Sequence, residues 1–163
     1  MKVAKRSYVV IEDDPGVADL LVTILAEHDA GADVRSFGYL PPLDEIADSA
    51  PSAIVLDLVI GGQPLGLAFY HEIRTFTPLA DVPILVCTAT SPAVDASVRR
   101  IVTDPQTEVI LKPFSLDEFI GALRDLEART GLFAIPGSRE GGTPSEALAS
   151  AGASQRQRIG SRL

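Results

Sequence analysis

Cysteine occurs once, at Cys87, which excludes an internal disulfide and a cysteine-rich zinc site. The apolar run ILVCTA around it points to a buried core thiol instead. Also missing is any run of about eighteen consecutive apolar residues, the length a membrane-spanning helix needs. The opening MKVAKRSYVVIEDD passes from a few basic residues straight into acidic ones, which is not a signal peptide. A soluble cytoplasmic protein is the expectation. A basic stripe is lacking too: residues 1–130 carry 10 Lys/Arg against 20 Asp/Glu, while residues 131–163 carry 4 against 2. An acidic surface repels phosphate backbones, so nucleic acid is excluded as a partner of the folded part. The two histidines, His28 and His71, fall on expected helices away from strand ends and are read as solvent-facing. No internal repeat is present.

What the chain does have is 46% hydrophobic residues in 163, enough for the core of one α/β domain. Four short apolar runs, YVVI (8–11), AIVLDL (53–58), PILVCTA (83–89) and EVILK (108–112), have the length and β-branched content of strands buried on both faces. A more polar run, ADVRSF (32–37), reads as an edge strand. Helical spacing fills the gaps: Val17, Leu20, Leu21, Ile24 and Leu25 in the first, and Leu67, Phe69, Tyr70 and Ile73 in the third. The second helix, near 43–49, follows Pro41-Pro42. The fourth, about 92–103, shows only Val94, Val98, Ile101 and Val102 as a thin apolar face and is expected to be the most weakly held. The last helix, 116–129, is marked by the Ser115 and Glu118 capping box and an apolar stripe of Leu116, Phe119, Ile120, Leu123 and Leu126.

Five alternations of strand and helix require parallel strands joined by right-handed crossovers. The fold class is therefore α/β, a doubly wound five-stranded parallel sheet with helices on both faces. After Thr130 the composition shifts to glycine, serine and proline, dividing the chain into a folded domain, 1–130, and a C-terminal tail, 131–163, that lacks a core. A helical turn at 145–151, and packing of Leu132, Phe133 and Ile135 onto the domain or a partner, are the expectations for that tail.

Ligands of open parallel sheets bind beyond the carboxyl ends of the strands, where these apolar runs stop. The first run ends in Glu12-Asp13-Asp14, the third in Asp57, the fourth in Thr88 and the fifth in Lys112. Carboxylates gathered in one crevice stay ionised together only beside a cation, and oxygen ligands favour a hard dication. Mg²⁺ suits two or three protein oxygens plus water, and no calcium-loop pattern is present. A carboxylate, a dication, a hydroxyl and an ammonium together can receive a phosphoryl group, with Asp57 as the nucleophile. Either Glu12 or Asp14 can serve instead as the N-cap of the first helix, and Asp14, directly before Pro15, suits that role better. Tyr8, Phe37 and Phe114 read as packing residues.

The acidic cluster in YVVIEDD, the Asp of IVLDL, the Thr-Ala pair of PILVCTA and the Lys-Pro-Phe of ILKPF, in that order, resemble the receiver domain of bacterial response regulators over residues 7–129. The resemblance implies a flavodoxin-like strand order, 2-1-3-4-5, and a phosphoacceptor signalling protein rather than an enzyme; the tail is too short and too poor in apolar periodicity for an output domain, so a stand-alone relay is the expectation. It implies that Asp57 accepts phosphate from a sensor histidine kinase or a histidine phosphotransfer protein. Asp13 and Asp57 then bind Mg²⁺ directly, Glu12 acts through water, and the Val59 main-chain carbonyl completes the set. Thr88 and Lys112 turn toward phosphoryl oxygens, the Lys112–Pro113 peptide is cis, and an unidentified protein, or a second copy of this chain, reads the result.

This sequence departs from the resemblance at Val109, where an aromatic is common, and at GGQPLG (61–66), one residue longer than usual, with Gly61 where proline is common. The paired glycines predict a mobile loop. Both departures support an alternative, a degenerate receiver that binds partners without being phosphorylated. A dehalogenase-type phosphatase would need an aspartate two residues after Asp57, where Val59 stands.

Overall fold

A computed structural model describes residues 5–91 and 93–131, so the expectations for Leu132, Phe133, Ile135 and 145–151 lie outside the described residues. Ten elements alternate: β1 (Ser7–Ile11), α1 (Pro15–His28), β2 (Asp33–Phe37), α2 (Leu43–Asp48), β3 (Ala53–Asp57), α3 (Leu65–Thr75), β4 (Ile84–Thr88), α4 (Ala96–Ile101), β5 (Thr107–Leu111) and α5 (Leu116–Thr130). The strands form one parallel sheet in the order β2-β1-β3-β4-β5. The chain thus reverses direction across the sheet between β1 and β3, the switch point at which α/β sheets open a crevice.

Because successive strand side chains point to opposite faces, the buried runs supply two cores at once. Val9, Ile11, Ile54, Leu56, Ile84 and Val86 pack with Ile46, Phe69, Ile73, Val98 and Ile101, from α2, α3 and α4. Tyr8, Val10, Val55, Leu85 and Cys87 pack with Leu21, Leu25, Phe119, Leu123 and Leu126, from α1 and α5. Cys87 is a buried core thiol, as its apolar run predicts, and burial pushes its pKa up. No described helix is long and apolar enough to cross a membrane.

The structure corrects the sequence reading in four places. First, β5 is not buried on both faces: it is the outer strand of the sheet, so its middle residues are half-buried and Leu111 is exposed. Second, α4 begins at Ala96 rather than near 92. Asp95 accepts hydrogen bonds from the amides of Ser97 and Val98, which starts the helix there and leaves Val94 exposed before it. Third, Leu20 and Leu116 face solvent, one on the flank of the stripe set by Ala18, Leu21 and Leu25 and the other in the first turn of α5. Fourth, His28 is turned inward, with its Nε2 3.4 Å from the buried carboxylate of Glu127. His71 is exposed, as read.

Candidate functional site

The carboxyl ends of β1, β3 and β5 converge on a cleft of about 630 Å³ lined by Glu12, Asp13, Asp14, Pro15, Val17, Asp57, Val59, Ala89 and Lys112. Carboxylate oxygens of Glu12, Asp13 and Asp57 lie within 4.8 Å of one another. Asp57 closes β3 and is only 6% exposed, and Glu12, just past β1, is 2% exposed; Asp13 faces solvent.

Each carboxylate is held by named donors. The Asp57 Oδ1 accepts the Val59 amide at 3.0 Å, and its Oδ2 accepts Lys112 Nζ at 2.6 Å. The same ammonium donates to Glu12 Oε2 at 2.7 Å, while Glu12 Oε1 accepts the Asp14 amide at 3.2 Å. Asp13 Oδ2 accepts the Gly61 amide at 2.7 Å. Asp14 is the α1 N-cap, accepting the Val17 amide at 3.0 Å, so the helix uses that carboxylate.

Burial raises the Glu12 carboxyl above its ordinary value against the pull of Lys112. Burial also works to lower the Lys112 pKa, but hydrogen bonds and charge from Asp57 and Glu12 outweigh it and hold the ammonium above its ordinary range. The pocket therefore keeps a fixed positive charge between two buried carboxylates. Lys112 reaches this position because its amide continues the sheet, donating to the Thr88 carbonyl at 2.8 Å, and the cis Lys112–Pro113 peptide follows directly.

Of the residues singled out in the sequence, Glu12, Asp13, Asp57, Val59 and Lys112 share the cleft. Thr88 does not line it: fully buried at the end of β4, its hydroxyl accepts the Thr90 amide at 3.1 Å, and Ala89 forms the wall. Sequence reasoning missed the shape of the β3–α3 connection. Ile60 and Gln63 exchange both backbone hydrogen bonds, at 2.9 and 3.1 Å, with Gly61 at φ 61° and Gly62 at φ 71° between them. This is a two-residue type I′ hairpin, not an open loop, and Gly-Gly is one of the pairs that signal it. Gly66 was missed as well. A Cβ there would stand 2.1 Å from the Asp57 carbonyl oxygen, so only glycine lets α3 approach β3 this closely.

The clustered donors are all oxygen and one of them is solvent-facing, which suits a small hard dication such as Mg²⁺ that keeps part of its water. The transcriptional regulatory protein CreB of Escherichia coli (strain K12) is 31% identical over 130 residues, covering 78% of this chain and 53% of its own length. The response regulator MprA of Mycobacterium sp. (strain KMS) is 32% identical over 123 residues, covering 75% and 50%. The chain thus spans about half the length of the curated relatives it matches. Among solved structures, the chemotaxis protein CheY4 of Vibrio cholerae superposes with a TM-score of 0.63 at 20% identity, over 76% of this chain and 99% of that one. NtrX of Brucella abortus gives a TM-score of 0.60 at 25% identity, over 90% and 33%. The model of the response regulator receiver domain matches residues 8–124, which include the carboxylate cluster and every strand residue except Ser7, and the chain belongs to that family of two-component signalling domains.

Proposed function

We propose that this receiver is a phosphorylation switch in which Asp57 takes a phosphoryl group from a phosphohistidine of a sensor histidine kinase or phosphotransfer protein. The observation that carries the reading is the Asp57 carboxylate at the end of a buried strand, 2.6 Å from the Lys112 ammonium and clustered with Glu12 and Asp13. Asp13, Asp57 and the Val59 carbonyl would hold Mg²⁺, with Glu12 acting through water, and the ion would supply positive charge to offset that of the transferring phosphoryl oxygens.

The Asp57 oxygen forms a bond to phosphorus as the bond from phosphorus to the histidine nitrogen breaks, and that nitrogen leaves with the electron pair. Lys112 exchanges a carboxylate partner for a phosphoryl oxygen. The Thr88 hydroxyl leaves the Thr90 amide for another. Phosphorylation adds about 1.5 to 2 negative charges, and the displaced Thr88 biases the segment leading into α4. The altered surface is then read by a partner protein in the cytoplasm.

Incubation with acetyl phosphate and Mg²⁺, read by intact mass, should add one phosphoryl group to the wild type and none to Asp57→Asn. Val109 in place of an aromatic supports the second reading, a receiver that binds partners unphosphorylated. A wild type that gains nothing from acetyl phosphate, and shows no amide shifts with Mg²⁺ and beryllofluoride, would establish that second reading instead.

A further inference from the structure

The three clustered carboxylates are not held alike. Glu12 and Asp57 are buried and share the Lys112 ammonium, whereas Asp13 is exposed and receives the Gly61 amide at the tip of the Ile60–Gln63 hairpin. An exposed aspartate without such a donor would sample several rotamers, and ordering it would be charged against cation binding. The amide occupies one lone pair of Oδ2 and leaves the other oxygen sites of the carboxylate available to a cation. The tip presents that amide only because both central residues adopt positive φ, 61° and 71°, which a type I′ turn demands.

We infer that the Ile60–Gln63 hairpin is a positioning device for Asp13, so that the affinity of the acidic cluster for a divalent cation is set by the backbone conformation at Gly61 and Gly62. The inference rests on the reading above, that Asp13 ligates Mg²⁺. It makes Gly61 a positioning residue acting through Asp13, with no side chain of its own at the site.

Gly61 can be tested cleanly, because an added Cβ at either glycine meets nothing within 4 Å. A substitution there acts through φ rather than through a clash. Valine is branched and strongly disfavours positive φ, while asparagine accepts it, and Asn-Gly is a preferred type I′ pair. The experiment is a Mg²⁺ titration of the full chain followed by amide shifts, with thermal unfolding of each variant alongside. Gly61→Val should bind Mg²⁺ about tenfold more weakly, as is typical when a group orienting a metal ligand is lost. Gly61→Asn should stay within about twofold of the wild type. If Gly61→Val shows no unfolding transition, Gly61→Ala replaces it and should weaken binding by at least about twofold. Equal affinity in wild type and the strained variant overturns this inference alone. A wild type that shows no saturation with Mg²⁺ overturns the functional reading and the inference together.

Discussion

Lys112 is the residue on which the resting site turns, since one ammonium satisfies two carboxylates that are otherwise buried without a counter-charge. Breaking a buried ion pair by removing one partner costs about 3–5 kcal/mol, and partial exposure of Lys112 places Lys112→Ala near about 2–3 kcal/mol. A dication held in the same crevice would supply the missing positive charge. Mg²⁺ should therefore raise the melting temperature of Lys112→Ala more than that of the wild type. Equal increments would mean that Lys112 and the cation do not share one electrostatic field. At this scale the sequence was informative where a short motif fixes a local hydrogen bond: Asp14 before Pro15 caps α1, and Ser115 with Glu118 forms the capping box of α5. It was silent where the partner is distant in the chain. Lys112 was assigned to a phosphoryl oxygen, and its resting bond to Glu12, 100 residues away, has no local signature.

Between elements, α3 is fastened to the strand β5 by Arg74. Its guanidinium donates to Asp104 Oδ2 at 2.7 Å, to the Val82 carbonyl at 2.7 Å and to Thr107 Oγ1 at 2.9 Å, and it lies over the Tyr70 ring. Tyr70 adds a hydrogen bond to Asp104 Oδ2 at 2.6 Å. Burial works to raise the Asp104 pKa, but the hydrogen bonds from Tyr70 and the Gln106 amide and the charge of Arg74 outweigh it and hold it below the ordinary aspartate value. A depressed folded pKa means that the unfolded chain binds its proton first as pH falls. The contribution of Asp104 is then complete above about pH 4, the unfolded value, and is lost as pH drops through the lower folded value. Urea unfolding between about pH 5 and pH 2 should show Asp104→Asn losing less stability than the wild type over that window. At pH 7 the variant should be weaker by about 2 kcal/mol. Periodicity revealed α3 but not this anchor, because Arg74 and Asp104 lie 30 residues apart and their pairing has no local signature. It also overstated α4, since Val94 and Val102 fit a helical stripe whose ends the sheet does not cover.

For the molecule as a whole, the order of strands and helices was legible because doubly buried parallel strands read as unbroken apolar runs, and the site followed from where those runs stop. The opposite, amino-terminal end of the strands gave no such signal. There the carboxylate of Glu127, on α5 and fully buried, accepts the Tyr8 hydroxyl of β1 at 3.1 Å and Arg6 at 3.3 Å, and approaches His28 at the end of α1. Burial is the main reason that the Tyr8 phenol is pushed up to about 12, so it stays a hydrogen-bond donor throughout the physiological range. One side chain thereby joins the first strand, the first helix and the last helix, which are distant in sequence and enclose one core. Glu127→Ala removes the acceptor, strands the Tyr8 hydroxyl and opens a cavity, and should cost about 3–4 kcal/mol in urea unfolding. Glu127→Gln keeps the volume and an acceptor oxygen and should cost about 1 kcal/mol. From Tyr8 to Glu12 the chain runs four residues, roughly 13 Å of strand, away from the carboxylate cleft. Both variants should therefore take phosphate from acetyl phosphate at the wild-type rate while they remain folded. A slowed rate in Glu127→Gln at unchanged stability would instead show that the two ends of the strands are coupled.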